Sequence, residues 1–250
     1  MSNQQINPAS PLSPSPSLPC SPAPPLPGPS TRVRVTFATA GPLAYVSVLD
    51  LGRLWERAVR RAGMPLRYSQ GFNPRPKMQF AAPLPTGCGG DAEWLDLWLT
   101  EPLEPAAINA ALEGQLPPAM RLVNVELVPE DAPALSEQLA AATYRVLLRQ
   151  VEFAAAEAAC AALLEEESVL RAKRGRRRHQ HYDLRQLLEA LSVAPAAAPW
   201  TVALDMRLKA RAGATGRPDE VLSALGLADA PRRCTRTALL LAEPAPEPSA

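Results

Sequence analysis

Between Arg32 and Val128 the apolar residues switch from every second position to every third or fourth and back, and the order of those switches restricts the fold more than any other feature. In Arg32-Val33-Arg34-Val35-Thr36-Phe37 strict alternation sets Val33, Val35 and Phe37 on one face of a half-buried strand. Leu51, Leu54, Trp55, Ala58, Val59 and Ala62 then recur at helical spacing. Ser47 and Asp50 form a capping-box-like start, so the spacing predicts a helix from about Val48 to Ala62, ended by Gly63 and Pro65. Strands follow at Lys77–Ala82 and Ala92–Thr100, a helix near Pro105–Gly114 and a strand at Met120–Val128. The order β-α-β-β-α-β is that of a split βαβ, or ferredoxin-like, unit, an antiparallel sheet with two helices on one face.

After the turn-rich Pro129–Pro133 a second series begins, with a strand at Thr143–Gln150, an Ala-rich helix at Phe153–Glu166 and a short strand at Ser168–Ala172. Val202, Leu204, Met206 and Leu208 alternate as a strand, Pro218 opens a helix up to Gly226, and Thr235–Ala242 closes as a strand. The expected fold class is therefore α+β, with two tandem ferredoxin-like modules at about 31–130 and 140–243. Element order alone carries that division. From Pro8 to Pro29 the chain is mostly Pro, Ser, Ala and Leu without a charge, so residues 1–30 read as a disordered tail that cannot bury enough surface to offset its ordering entropy.

The cysteines, Cys20, Cys88, Cys160 and Cys234, form no CxxC pair, which suggests neither a disulfide framework nor a zinc ribbon. A reducing compartment, the cytoplasm, is the expectation. No apolar run approaches the roughly 20 residues that span a bilayer, so no membrane partner is expected. Thr86-Gly87-Cys88-Gly89-Gly90 reads as a hairpin-type turn in which Cys88 is an exposed thiol without an activating base.

A formal net charge of +1 hides two cationic stretches. The first helix carries Arg53, Arg57, Arg60 and Arg61 opposite its apolar stripe, and the following loop adds Arg67, Arg75 and Lys77. Such a face can grip phosphates, or can be a solvated helix surface paired with residues such as Glu56. The loop Tyr68–Lys77 holds Tyr68, Gln70, Gly71, Phe72 and Asn73 between rigid prolines. It admits base stacking on Tyr68 or Phe72 beside phosphate-holding Arg75 and Lys77, and equally a crossover whose aromatics plug the core. The second stretch carries Arg171, Lys173, Arg174, Arg176, Arg177 and Arg178 around Gly175, a basic hairpin whose like-charge repulsion favours an anionic partner. His179 and His181 alternate beside it, but with only Asp183 near them they do not make a zinc set, and no metal or cofactor is expected.

Arg34-Val-Thr-Phe37, Gly41-Pro-Leu43, Ser47-Val-Leu-Asp50, Arg60-Arg-Ala-Gly-Met-Pro65, Tyr68-Ser-Gln-Gly-Phe-Asn-Pro74, Phe80-Ala-Ala-Pro-Leu-Pro-Thr-Gly87 and Glu93-Trp-Leu-Asp96 together resemble the radical SAM-linked protein family. Arg217-Pro-Asp-Glu-Val-Leu222 extends the likeness more weakly. This is a bacterial domain, of unknown function 2344, found beside or fused to B12-binding radical SAM proteins. Two departures stand out: the usual Ser-His-Leu-Asp has Val48 in place of histidine, and the usual Asn-Pro-His-Pro has Arg75. The resemblance implies a partner of the radical SAM enzyme, since the chain has no CxxxCxxC cluster motif of its own. The expected function is a non-catalytic accessory protein that binds a B12-binding radical SAM protein and an RNA or other polyanion through its basic segments. The alternatives are a small-molecule enzyme in which Asp50, Tyr68, Asn73 and Arg75 converge, and a purely structural protein adaptor.

Overall fold

The computed structural model describes residues 31–173, 179–211 and 213–242. The tail read at residues 1–30 lies outside them. The architecture is mixed α/β, a large and mostly antiparallel nine-stranded sheet with few helices. In chain order the elements are β1 (Thr31–Thr39), α1 (Val48–Arg61), β2 (Met78–Phe80), β3 (Cys88–Leu99), α2 (Pro105–Leu112), β4 (Met120–Val128) and α3 (Leu135–Gln138). There follow β5 (Leu139–Leu148), α4 (Phe153–Glu165), β6 (Leu170–Ala172), β7 (His181–Asp183), β8 (Leu188–Pro195), β9 (Val202–Arg211), β10 (Ala214–Thr215), α5 (Pro218–Ala224) and β11 (Arg232–Leu241).

In the first half the strands lie in the order β4-β1-β3-β2, and in the second in the order β11-β5-β9-β8, every neighbouring pair antiparallel. Two cores result. Leu51, Trp55, Val59, Ile108 and Leu112 pack α1 and α2 against Val33, Val35, Phe37, Leu95, Leu97 and Leu99. Ala156, Cys160, Leu163, Val221 and Leu222 pack α4 and α5 against Tyr144, Val146, Leu204 and Met206. The α1 start is as the sequence predicts, Ser47 Oγ accepting from the Asp50 amide at 3.2 Å. Trp55 is fully buried, edge-on to Phe37 with ring centroids 5.0 Å apart.

The halves join where β11 runs parallel to β3, Cys234–Arg236 beside Cys88–Gly90. Here the structure corrects the sequence reading at three points. Cys88 is a buried half of a disulfide to Cys234, 146 residues away, a separation that leaves no local spacing signal. The turn is confined to Thr86 and Gly87 (φ +88°), and Gly89 and Gly90 are buried members of β3. The expected half-buried β1 is buried on both faces. Arg32 and Arg34 share the carboxylate of fully buried Asp96 at 2.8 and 2.9 Å, and Arg32 also donates to the Ala132 and Pro133 carbonyls. Those last bonds strap the inter-half linker across the sheet, so the charge of β1 faces protein carbonyls instead of water.

Candidate functional site

The first-half cations do not form one surface. Arg53, Arg57, Arg60 and Arg61 are exposed along α1, with Arg53 on Asp50 at 2.8 Å and Arg61 donating to the Gln115 carbonyl. Lys77 instead sits 4.3 Å above the Trp98 ring. Trp98 alternates with Leu97 and Leu99, which join the α1 core, so Lys77 belongs to the opposite face of the sheet. Partial burial there, followed by repulsion from Arg67, lowers its pKa.

The Tyr68–Lys77 loop is a hairpin closed at its base. Tyr68 bridges to Pro76, the Ser69 amide bonds the Arg75 carbonyl, the Arg75 amide bonds Ser69 Oγ, and Leu66 bridges to Leu99. Gln70, Gly71, Phe72, Asn73 and Arg75 are exposed at the tip, with the Phe72 ring wholly in solvent and Tyr68 partly so. Its aromatics therefore do not plug the core. Nor does Asp50 meet this loop. The hairpin base adjoins Leu99, opposite Thr31 at the start of β1, whereas Asp50 lies in the first turn of α1 beyond the other end of β1. A 14-residue helix of about 20 Å separates them, so the convergence an enzyme reading needs does not occur.

In the second half the basic segment is a hairpin, β6 pairing β7 with Arg171 opposite Tyr182 and Ala172 opposite His181. The Lys173 amide closes on the Gln180 carbonyl at 2.8 Å. Arg174, Arg176, Arg177 and Arg178 lie outside the described residues. Arg171 is half-buried, and its Nε has no hydrogen-bond partner among the described residues. Asp183 fixes the base of the hairpin by accepting from the Val169 and Arg185 amides at 2.8 and 2.9 Å, and the Val169 bond leads in holding its carboxyl below the usual range. His179 and His181 are exposed.

This hairpin opens onto a concavity of about 470 Å³ walled by Lys173, His181, Tyr182, Thr215 and Arg217. A second cleft of about 520 Å³ shares Thr215 and Arg217 and continues to the junction of the halves, against Val48, Ala81–Thr86, Tyr144, Arg211 and Arg236. Because both are lined by Thr215 and Arg217, we read them as adjoining parts of one groove. Its inner end is stiffened by Arg236, which is 2% exposed. Arg236 Nε donates to Glu93 at 2.8 Å, Nη1 to the Pro83 carbonyl at 3.3 Å and Nη2 to the Ala82 carbonyl at 3.1 Å. Burial opposes its charge, but Glu93 and the Tyr144 oxygen outweigh that and hold its pKa above the ordinary guanidinium range. Three stretches remote in sequence thus meet at the cleft, at Val48, Ala81–Thr86 and Arg217. Val48 lines this cleft, while Arg75 is on the Tyr68–Lys77 hairpin.

Charge runs did not point to Arg217 or Tyr144, because each is isolated in sequence, and Arg211 alternates with Arg207 and Lys209 along β9, a weaker signal than the denser arginine runs. Arg217 was carried only by the motif it opens. Among the described residues no three His, Cys, Asp or Glu side chains gather at a common point, and no helix is long and apolar enough to cross a membrane. Residues 32–218 match the family described as "Uncharacterized protein conserved in bacteria (DUF2344)", more than half of the 250-residue chain. No curated protein matches the chain.

Proposed function

The chain belongs to that bacterial family, and from this premise we propose that it is a non-catalytic accessory protein that holds RNA for a B12-binding radical SAM partner in the cytoplasm. The observation that supports RNA is the groove, a concave path beside the basic hairpin whose lining holds Lys173, Arg217 and Arg211 with His181, against two carboxylates, Asp183 and Glu220. Such a path tracks a phosphate backbone, whereas cations scattered over a convex surface bind no particular shape. We read each half as ferredoxin-like on its strand order, a fold that hosts many functions and argues for none by itself. The radical SAM partner rests on the family resemblance of the motifs, and the chain's lack of a cluster motif makes it act in trans.

The test is fluorescence anisotropy of a labelled single-stranded RNA against protein across a salt series. We expect log K to fall with log salt at about −0.7 per phosphate contacted. Failure to bind at low salt, with retention on an acidic protein partner instead, would replace RNA by the adaptor reading.

A further inference from the structure

The inner end of the groove differs in chemistry from the rest. One wall is Ala81, Pro83, Leu84 and Pro85, apolar and without side-chain donors. The same lining includes Tyr144, Ser136 and Thr215, which carry hydroxyls, and Arg211 and Arg217, which carry guanidinium groups. Arg211 has no carboxylate partner among the described residues, and Arg217 reaches Asp219 only at 3.7 Å. Tyr144 is 3% exposed and lies close enough to the Arg236 guanidinium to feel its charge. Its phenol O–H is a donor as well as an acceptor. Burial pushes the Tyr144 pKa up, which keeps that proton in place.

A bare anion would satisfy the arginines and leave the proline wall wet, and a purely apolar ligand would strand the cations and hydroxyls. The ligand that meets all three has a flat apolar body, polar edges and one anionic end. The volume, about 520 Å³, lies within the range that small-molecule sites occupy. We infer that the cleft between the two halves binds a single nucleotide, with its base against Pro83, Leu84 and Pro85 and its phosphate on Arg211 and Arg217. This deepens the polyanion reading by giving one unit of the chain, or a free nucleoside phosphate, a seat of its own.

Arg236 does not serve as a phosphate ligand here. Its donors are taken by Glu93, Ala82 and Pro83, so its role is to position the apolar wall.

Isothermal titration calorimetry of the full chain with AMP, adenosine and inorganic phosphate tests the inference. AMP is expected to bind at least tenfold more tightly than either part, because each part leaves one wall of the cleft unmatched. Arg211→Gln with Arg217→Gln, and separately Ser136→Trp, which fills the exposed side of the cleft, should each weaken AMP at least tenfold without a change in melting temperature. A 5′-phosphorylated oligonucleotide displacing AMP from the parent would identify a strand terminus as the source, and failure to displace would leave a free nucleotide. Phosphate binding as tightly as AMP, or AMP binding unmoved in both variants, overturns the inference. Long RNA that still binds the Ser136→Trp protein while AMP does not would separate this site from the outer groove. RNA failing to bind a parent that still binds AMP would sink the RNA reading alone.

Discussion

Gly90 has no side chain, and the space where a Cβ would stand lies 2.5 Å from Glu93 Cγ, so Glu93 can fold back over the strand to reach Arg236. The pair is buried, and Arg236 also holds the Ala82 and Pro83 carbonyls that shape the cleft wall. Removing one partner of a buried pair leaves a desolvated charge, so Arg236→Met is expected to cost about 3–5 kcal/mol by chemical denaturation. Adding Glu93→Leu should recover part of that loss, and a single variant as stable as the parent would mean that the pair is solvated. Trp55 offers a second test at this scale. Its Nε1 is buried with no hydrogen-bond partner among the described residues. Trp55→Ala should cost about 3–5 kcal/mol, the usual range for emptying a large core aromatic. Trp55→Phe should cost distinctly less, since it keeps most of the packing against Phe37 and removes an orphaned donor. Equal losses in the two variants would show that the indole nitrogen has a partner. The residues around Trp55 were legible because its helical period and cap are local in sequence, while Arg236 and Glu93 were not, being 143 positions apart.

Among elements, the legible ones carry a clear local period. β4 appears at the expected Met120–Val128, and α4 at Phe153–Glu165. What the sequence reading missed follows from composition. β8, Leu188–Pro195, has only scattered apolar positions and occupies the sheet edge beyond β9. The opening of β5, Leu139–Ala142, is Ala-rich and lies outside the strand expected at Thr143–Gln150, yet pairing with β9 and β11 on both sides makes it strand. The parallel ladder of β11 on β3 is three residues long and is reinforced by the Cys88–Cys234 disulfide. Cross-linking across so long a loop constrains the unfolded chain strongly, and reduction is expected to lower stability by about 2–5 kcal/mol. Denaturation with and without dithiothreitol measures this, with the Cys88→Ala/Cys234→Ala protein as reference. The two reduced states should agree, and a parent indifferent to reductant would mean that the thiols are not joined in solution. In a reducing compartment that bond would be open to reduction, which would link the stability of the junction to redox state.

Over the whole molecule, the mixed α/β class was readable as a succession of periods, but the fusion of the two halves into one sheet was not. Fusion depends on β11 meeting β3, a contact between opposite ends of the body that no window along the chain contains. The same blindness applies to function. Charge runs drew attention to α1 and to the basic hairpin alike, yet only the hairpin opens onto the groove, because Thr215, Arg217 and Arg211 arrive from β9, β10 and the start of α5. The groove therefore sets the basic hairpin above α1 as the RNA contact, an order that a paired measurement decides. Two variants, Arg176→Gln/Arg177→Gln/Arg178→Gln and Arg57→Gln/Arg60→Gln/Arg61→Gln, each remove three cations and would be compared with the parent for single-stranded RNA affinity across a salt series. If the hairpin feeds the groove, the first variant loses roughly two units of the log K against log salt slope and the second keeps the parental slope, with melting temperatures unchanged in both. A slope flattened by the α1 variant and untouched by the hairpin variant would contradict the account and move the RNA site to the first half.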